Sequence, residues 1–223
     1  MELYHGSEKQ IERPVFGFGN SHNDYGLGFY CTQSLEMACE WACLANHDGW
    51  ANRYVLSMDG LSVLNLSSAE FHILNWLAVL LENRTFRLDS ELARGARSYI
   101  AEHFLPAYEG YDIVCGYRAD DSYFSFATSF LNGMISVEQL GKAMRLGNLG
   151  EQVVLRSEQA FGNIEFEGAE LAPAVTWYPK RAARDLAARK AFREMRASGS
   201  VLEGHYVLDM LREGWDDDTP FLR

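Results

Sequence analysis

The sequence predicts an α+β protein with a strand-rich core, a helical insertion and a helical C-terminal tail. Three observations lead there. The first thirty-two residues read as two strands, each bounded by a glycine turn. Two helical stretches, over about 68–105, interrupt the strand candidates. Residues 180–213 read as two further helices around Ser198-Gly199-Ser200. No repeat, low-complexity block or linker divides the chain, so the simplest organisation is one domain over 1–179 and a tail over 180–223 packed on it.

The elements follow in order. Residues 1–5 form a strand, 6–26 a long Gly- and Asn-rich loop, and Gly28 to Thr32 a second strand. Ser34 caps a helix reaching about Asn46, with Met37, Trp41 and Leu44 at helical spacing. Tyr54–Met58 and Leu61–Leu66 read as a hairpin around Asp59-Gly60. A helix over 68–83 takes Ser67 or Ser68 as its cap, and another runs from Ser90 to Phe104 before Pro106. Tyr111–Tyr117 is a strand, Ser122–Asn132 a helix ending at Gly133, and Ser136 with Gln139 a capping box. Gln152–Arg156, Ile164–Phe166 and Val175–Tyr178 are the remaining strand candidates.

Composition narrows the function. The chain has 223 residues, 48% of them hydrophobic and 23% charged, an ordinary soluble balance. No apolar run approaches the roughly 18 residues of a membrane span. Glu2, His5 and Glu8 break any signal-peptide pattern, so a cytoplasmic protein is expected, with secretion as an effector left open. The net charge of -11 argues against non-specific nucleic-acid binding. The basic run Lys180–Arg196 reads as a solvated helix face. Cys39 and Cys43 lack two further ligands at zinc spacing, so the four cysteines read as buried thiols and no metal is expected.

Two motifs carry chemistry. Tyr4-His5-Gly6-Ser7 closes the first strand, and Gly26-x-Gly28-Phe29-Tyr30-x-Thr32 forms the second and opens a helix. Downstream lie Asp112-Ile113-Val114-x-Gly116, Ala119-Asp120-Asp121 and Leu149-Gly150-x-Gln152-Val153-Val154-Leu155. Tyr206 to Glu213 completes the set. These motifs resemble the ADP-ribosyltransferase superfamily, in its histidine-tyrosine branch, and within it a bacterial family of uncharacterised domains. The resemblance implies a split β-sheet core and NAD as substrate. It implies that His5 contacts the adenosine ribose, the Gly6 backbone binds the nicotinamide amide, and Tyr30 stacks on the nicotinamide ring. Ser7, Gly28 and Thr32 complete the implied NAD-binding set.

These roles are physically sound. Either imidazole nitrogen can bond a ribose hydroxyl. A glycine lets main chain approach a ligand. An aromatic face attracts a cationic pyridinium by about 0.5–2 kcal/mol. Fixed negative charge favours the oxocarbenium-like transition state over the ground state.

The chain departs from the superfamily at the third position. Gln152 stands where a glutamate is usual, and glutamine carries no charge and cannot act as a base. Glu151 precedes it and faces the opposite side of a regular strand, unless a bulge at Gly150 re-aims it. The candidates for catalysis are Gln152, Glu151 and Tyr30, with Asp120 and Asp121 as further site candidates or plain helix caps. The Gly-x-Gly lacks the strand-turn-helix context and third glycine of a dinucleotide fingerprint, which excludes a Rossmann reading. The other histidines and the five tryptophans receive no role beyond packing.

Two functions compete. The first is an NAD-dependent mono-ADP-ribosyltransferase acting on a macromolecule, a protein by preference, as a bacterial toxin or effector. An antitoxin or neighbouring-gene product is then a natural partner. The second is an inactive or weak module that binds NAD or ADP-ribose, with Gln152 in place of the missing charge.

Overall fold

In a computed structural model, residues 1–119, 121–146, 150–198 and 204–222 are described. They form a mixed α+β fold of two sheets and eight α-helices. Strands β1 (Glu2–Ser7), β3 (Gly49–Leu56) and β7 (Ile164–Ala172) make an antiparallel sheet in the order β1-β3-β7. Strands β2 (Phe29–Cys31), β6 (Glu151–Leu155), β5 (Ile113–Tyr117) and β4 (Val63–Asn65) make the second, in the order β2-β6-β5-β4. Only β4 and β5 run parallel.

Alternation along the strands sorts the layers. Leu3, Tyr54 and Leu56 of the first sheet meet Phe29, Cys31, Ile113, Cys115, Val153 and Leu155 of the second in one apolar core. The opposite face of the first sheet, through Ala51 and Ala172, receives Ala38 and Ala42 of α1 (Leu35–Ala42). The opposite face of the second sheet, through Val114 and Val154, receives α2 (Ile73–Asn83), α3 (Glu91–His103), α4 (Asp121–Leu131) and α5 (Val137–Ala143). Small residues on α1 let its backbone come very close. A Cβ on Gly6 would stand 2.1 Å from the carbonyl oxygen of Ala38, so that position must be glycine for the helix to dock.

Local signals set most helix starts. The hydroxyls of Ser34, Ser90 and Ser136 accept the N–H three residues on, and Gln139 returns a bond to the Ser136 N–H at 2.9 Å. A short helix α6 (Glu158–Gly162) starts the same way at Ser157.

Three expectations need correcting. Asp59-Gly60 is a turn, but not of a hairpin: β3 stays in the first sheet, while β4 crosses to the second and pairs with β5. Neither Ser67 nor Ser68 caps α2, which begins at Ile73 after the Asn75 side chain accepts from the His72 N–H at 2.9 Å. Val175–Tyr178 is helical, part of α7 (Ala174–Ser198), because Asp48 accepts from the Ala174 N–H at 2.8 Å and caps that helix from a distant loop.

The tail docks on the body. Arg184 of α7 makes a two-point pair with the buried Glu40 of α1, at 2.9 and 3.0 Å. Ala188 and Phe192 are buried, with Phe192 stacked on Phe126 at 4.1 Å between centroids. The helix α8 (Val207–Glu213) buries Val207 and Met210. His205 lies 2.5 Å from Glu138, and Asp217 meets Asn75 at 2.8 Å. Among the described residues no helix is long and apolar enough to cross a membrane.

Candidate functional site

Among the described residues, one backbone bridge joins the two sheets. Tyr4 and Thr32 exchange N–H···O bonds of 2.7 and 2.9 Å, and beyond it β1 and β2 diverge. This junction sets His5 beside Tyr30. The His5 Nδ1 lies 2.7 Å from the Tyr30 carbonyl oxygen. A carbonyl only accepts, so Nδ1 carries the proton and Nε2 of the neutral ring is left as an acceptor. Burial lowers the His5 pKa and favours that neutral form, against a smaller opposing pull from the Tyr30 carbonyl. The ring lies on Phe29, with centroids 4.3 Å apart.

Tyr30 fixes the turn before its own strand. Its hydroxyl donates to the Gly26 carbonyl at 2.6 Å and accepts from the Tyr25 N–H at 3.0 Å. Burial pushes that hydroxyl's pKa well above its usual value, so it stays a neutral donor. Gly26 takes a positive φ of 76°, and a Cβ there would meet the Asn83 side chain at 2.6 Å. Tyr25 then plunges into the core. Its hydroxyl donates to the Tyr117 carbonyl at 2.6 Å, takes a bond from Trp76 Nε1 at 2.9 Å, and fills the space a Cβ on Gly116 would need.

The fixed turn presents Asp24, which is 6% exposed. Its Oδ2 accepts from the Ala119 N–H at 3.0 Å, and Arg84 Nε stands 3.6 Å from Oδ1. The Arg84 guanidinium donates to the His22 carbonyl at 2.8 Å and lies 4.5 Å from the Phe124 ring centre. Arg118, just past β5, sits over the Trp41 ring of α1, its guanidinium carbon 3.9 Å from the ring centre.

These groups surround a cavity of about 450 Å³. His5, Gly28, Phe29 and Tyr30 line it from the strand junction, Gln152 from β6, and Trp41 from α1. Asp24, Arg84 and Arg118 supply its charges among the described residues. Ile11, Pro14, Val15, Phe18 and Gly19 form its cover. Asn52 anchors the start of that cover by accepting from the Ile11 N–H at 2.8 Å, and Tyr54 donates to the Ile11 carbonyl. Toward its far end, Phe18 is 81% exposed.

Gln152 is 6% exposed, and its Oε1 is buried with no hydrogen-bond partner among the described residues. Trp41 Nε1 is a buried donor in the same condition. An unmade buried hydrogen bond costs about 1–3 kcal/mol. Both atoms belong to residues that line the cavity.

The structure brings together four of the residues singled out from sequence: His5, Gly28, Tyr30 and Gln152. It puts others elsewhere. Gly6 faces the backbone of α1. The Ser7 hydroxyl donates to the Lys9 carbonyl at 2.7 Å and accepts from Asn52 at 2.9 Å. Thr32 accepts from the Ser34 N–H at 3.2 Å, at the start of α1. Glu151 is exposed, pairs with Tyr117 across the ladder, and does not line the cavity. No bulge interrupts the β5–β6 register there, so it points away from Gln152. Asp120 and the side chain of Asp121 lie outside the described residues.

Sequence reasoning missed Asp24, Trp41, Arg84 and Arg118. Asp24 heads the Asp24-Tyr25-Gly26 turn and was within reach of a motif argument. The arginines come from a helix end and a strand end brought together only by the fold.

All four cysteines are free and buried. Burial raises their thiol pKa values, those of Cys39 and Cys115 to about 11. Thiols raised in this way stay protonated at neutral pH.

Residues 1–166 match the family described as Protein of unknown function (DUF3990). No curated protein and no solved structure matches the chain.

Proposed function

The chain belongs to the DUF3990 family, whose matched region contains every residue found to line the cavity; from that cavity we propose that the protein binds NAD and transfers its ADP-ribose to a macromolecular acceptor, a protein by preference. The observation that carries the reading is the meeting of His5, Tyr30 and Gln152 around one cavity of about 450 Å³. That size falls in the range of about 300–1,000 Å³ usual for small-molecule sites. The separated sheets, joined at Tyr4 and Thr32, agree with a split-sheet transferase core.

The chemistry of the wall suits the ligand. Two arginines offer charge to a diphosphate. The acceptor nitrogen of His5 suits a ribose hydroxyl, and the Tyr30 ring suits a flat heterocycle. The unpartnered Gln152 oxygen fits a hydroxyl or amide N–H of a bound nucleotide.

Purified protein and cell extract with NAD labelled on the adenylate phosphate test the proposal. Transfer of label to a macromolecule supports it. Tight NAD binding without transfer or nicotinamide release supports the second reading, a module that recognises NAD or ADP-ribose. The observation favouring that reading is the neutral Gln152, with Glu151 turned away from the cavity.

A further inference from the structure

Cleaving an N-glycoside of a cationic base sets a demand on the site. The electron pair of the C1′–N bond leaves with the base, so a pyridinium departs as neutral nicotinamide. Positive charge spreads over the sugar carbon and ring oxygen. Water or an acceptor hydroxyl then forms the new C1′–O bond and releases its proton to solvent. A fixed anion near that carbon lowers the barrier, because the charge it faces is larger in the transition state.

Gln152 supplies no such anion, and Glu151 does not line the cavity. Resting on the reading above, we infer that Asp24 is a catalytic carboxylate of this site, the negative charge set against the sugar as the bond to the base opens. Among the described residues that line the cavity it is the sole carboxylate. It is buried, and so is its charge, in a wall where electrostatic effects are strong.

Its position is fixed before any ligand arrives. The Ala119 N–H holds one oxygen at 3.0 Å, and Arg84 approaches the other. The adjoining turn is tied to the Tyr30 hydroxyl through Gly26 and Tyr25, and Tyr25 is anchored to β5. Asp24 therefore keeps a set place relative to the aromatic ring on the same cavity. A charge so held acts without reorganising, which is what makes preorganised groups effective.

The competing role is a latch. An amide of the same shape keeps an acceptor for the Ala119 N–H but loses the ion pair with Arg84, so a carboxylate that only latches the turn shows its loss in melting temperature and NAD affinity, whereas one that acts by charge on the sugar shows it in nicotinamide release. The test measures nicotinamide release from NAD by the full chain, with NAD affinity and melting temperature on the same preparations. The proteins are wild type, D24N and the double variant D24N/Q152E, which returns a carboxylate to the same cavity from β6.

D24N is expected to lose about 100-fold of release. NAD affinity should stay within about threefold and the melting temperature within a few degrees, and the double variant should regain about tenfold or more. A D24N loss under about tenfold overturns the inference while the NAD reading stands. A loss matched by weaker NAD binding or by unfolding assigns Asp24 to the latch and also overturns it. So does a double variant no better than D24N. Wild type that binds NAD without cleaving it overturns the catalytic role and leaves a binding module. Wild type that does neither overturns both.

Discussion

His5 donates through Nδ1 to the main-chain carbonyl of Tyr30, 2.7 Å away, across the point where the two sheets separate. The bond joins the two residues that the sequence motifs single out, and it fixes the tautomer of the first by the backbone of the second. It also couples the site to pH. Burial depresses the His5 pKa, so the unfolded chain binds its proton more readily than the folded one. This contribution to stability is complete above the ordinary value of 6.5 and is lost as pH falls below it, toward the lower folded-state value. Urea unfolding at pH 7.5 and pH 5.5 should show a smaller acid loss for His5→Gln than for wild type. Equal losses would remove His5 from the pH dependence.

Gln152→Glu should raise nicotinamide release, because a carboxylate in that wall favours charge build-up on the ribose by one to a few kcal/mol, about tenfold or more. Gln152→Ala should lower transfer. Glu151→Ala is the comparison, since its side chain points away from the cavity. If Glu151→Ala alone abolishes turnover while both Gln152 changes are silent, Gln152 is the wrong residue.

NAD should protect the cover loop. Phe16 rests edge-on against Phe161, whereas Phe18 is almost wholly exposed at the cavity rim. Chymotrypsin should cut after one of these rings in the free protein and more slowly with NAD bound. Equal rates in both conditions would exclude a ligand-covering role.

Removing Arg184 should cost about 3 kcal/mol of stability, because it strands the buried Glu40 beneath α7. Chemical denaturation of Arg184→Ala and of Glu40→Gln/Arg184→Met measures this. The double variant, which buries no charge, should recover most of the loss. An Arg184→Ala protein as stable as wild type would show that the tail is held without this pair.

Much of the site was legible because strand motifs are local. His5, Gly28, Tyr30 and Gln152 stand close to glycine turns and in short alternating runs, and the fold brings all four to one cavity. Its charged wall was not legible. Asp24 meets Ala119 and Arg84 across long stretches of chain, and Trp41 meets Arg118 in the same way. No spacing within a segment records such contacts. Gly6 shows the converse: a glycine that suits a ligand in the motif serves close helix packing in the fold.

By itself the sequence determined the caps at Ser34, Ser90 and Ser136, since a side chain bonding an N–H three residues on depends only on its neighbours. It determined the alternation that buries Val153 and Leu155 on one face of β6 and Val154 on the other. Only the tertiary structure decided that the chain leaves Asp59-Gly60 for a different sheet, since pairing partners lie far apart in sequence. Only it decided that Val175–Tyr178 is helical, because the cap comes from Asp48. And only the divergence of two sheets beyond Tyr4 and Thr32 opens the space in which Asp24, Tyr30 and Gln152 share one cavity.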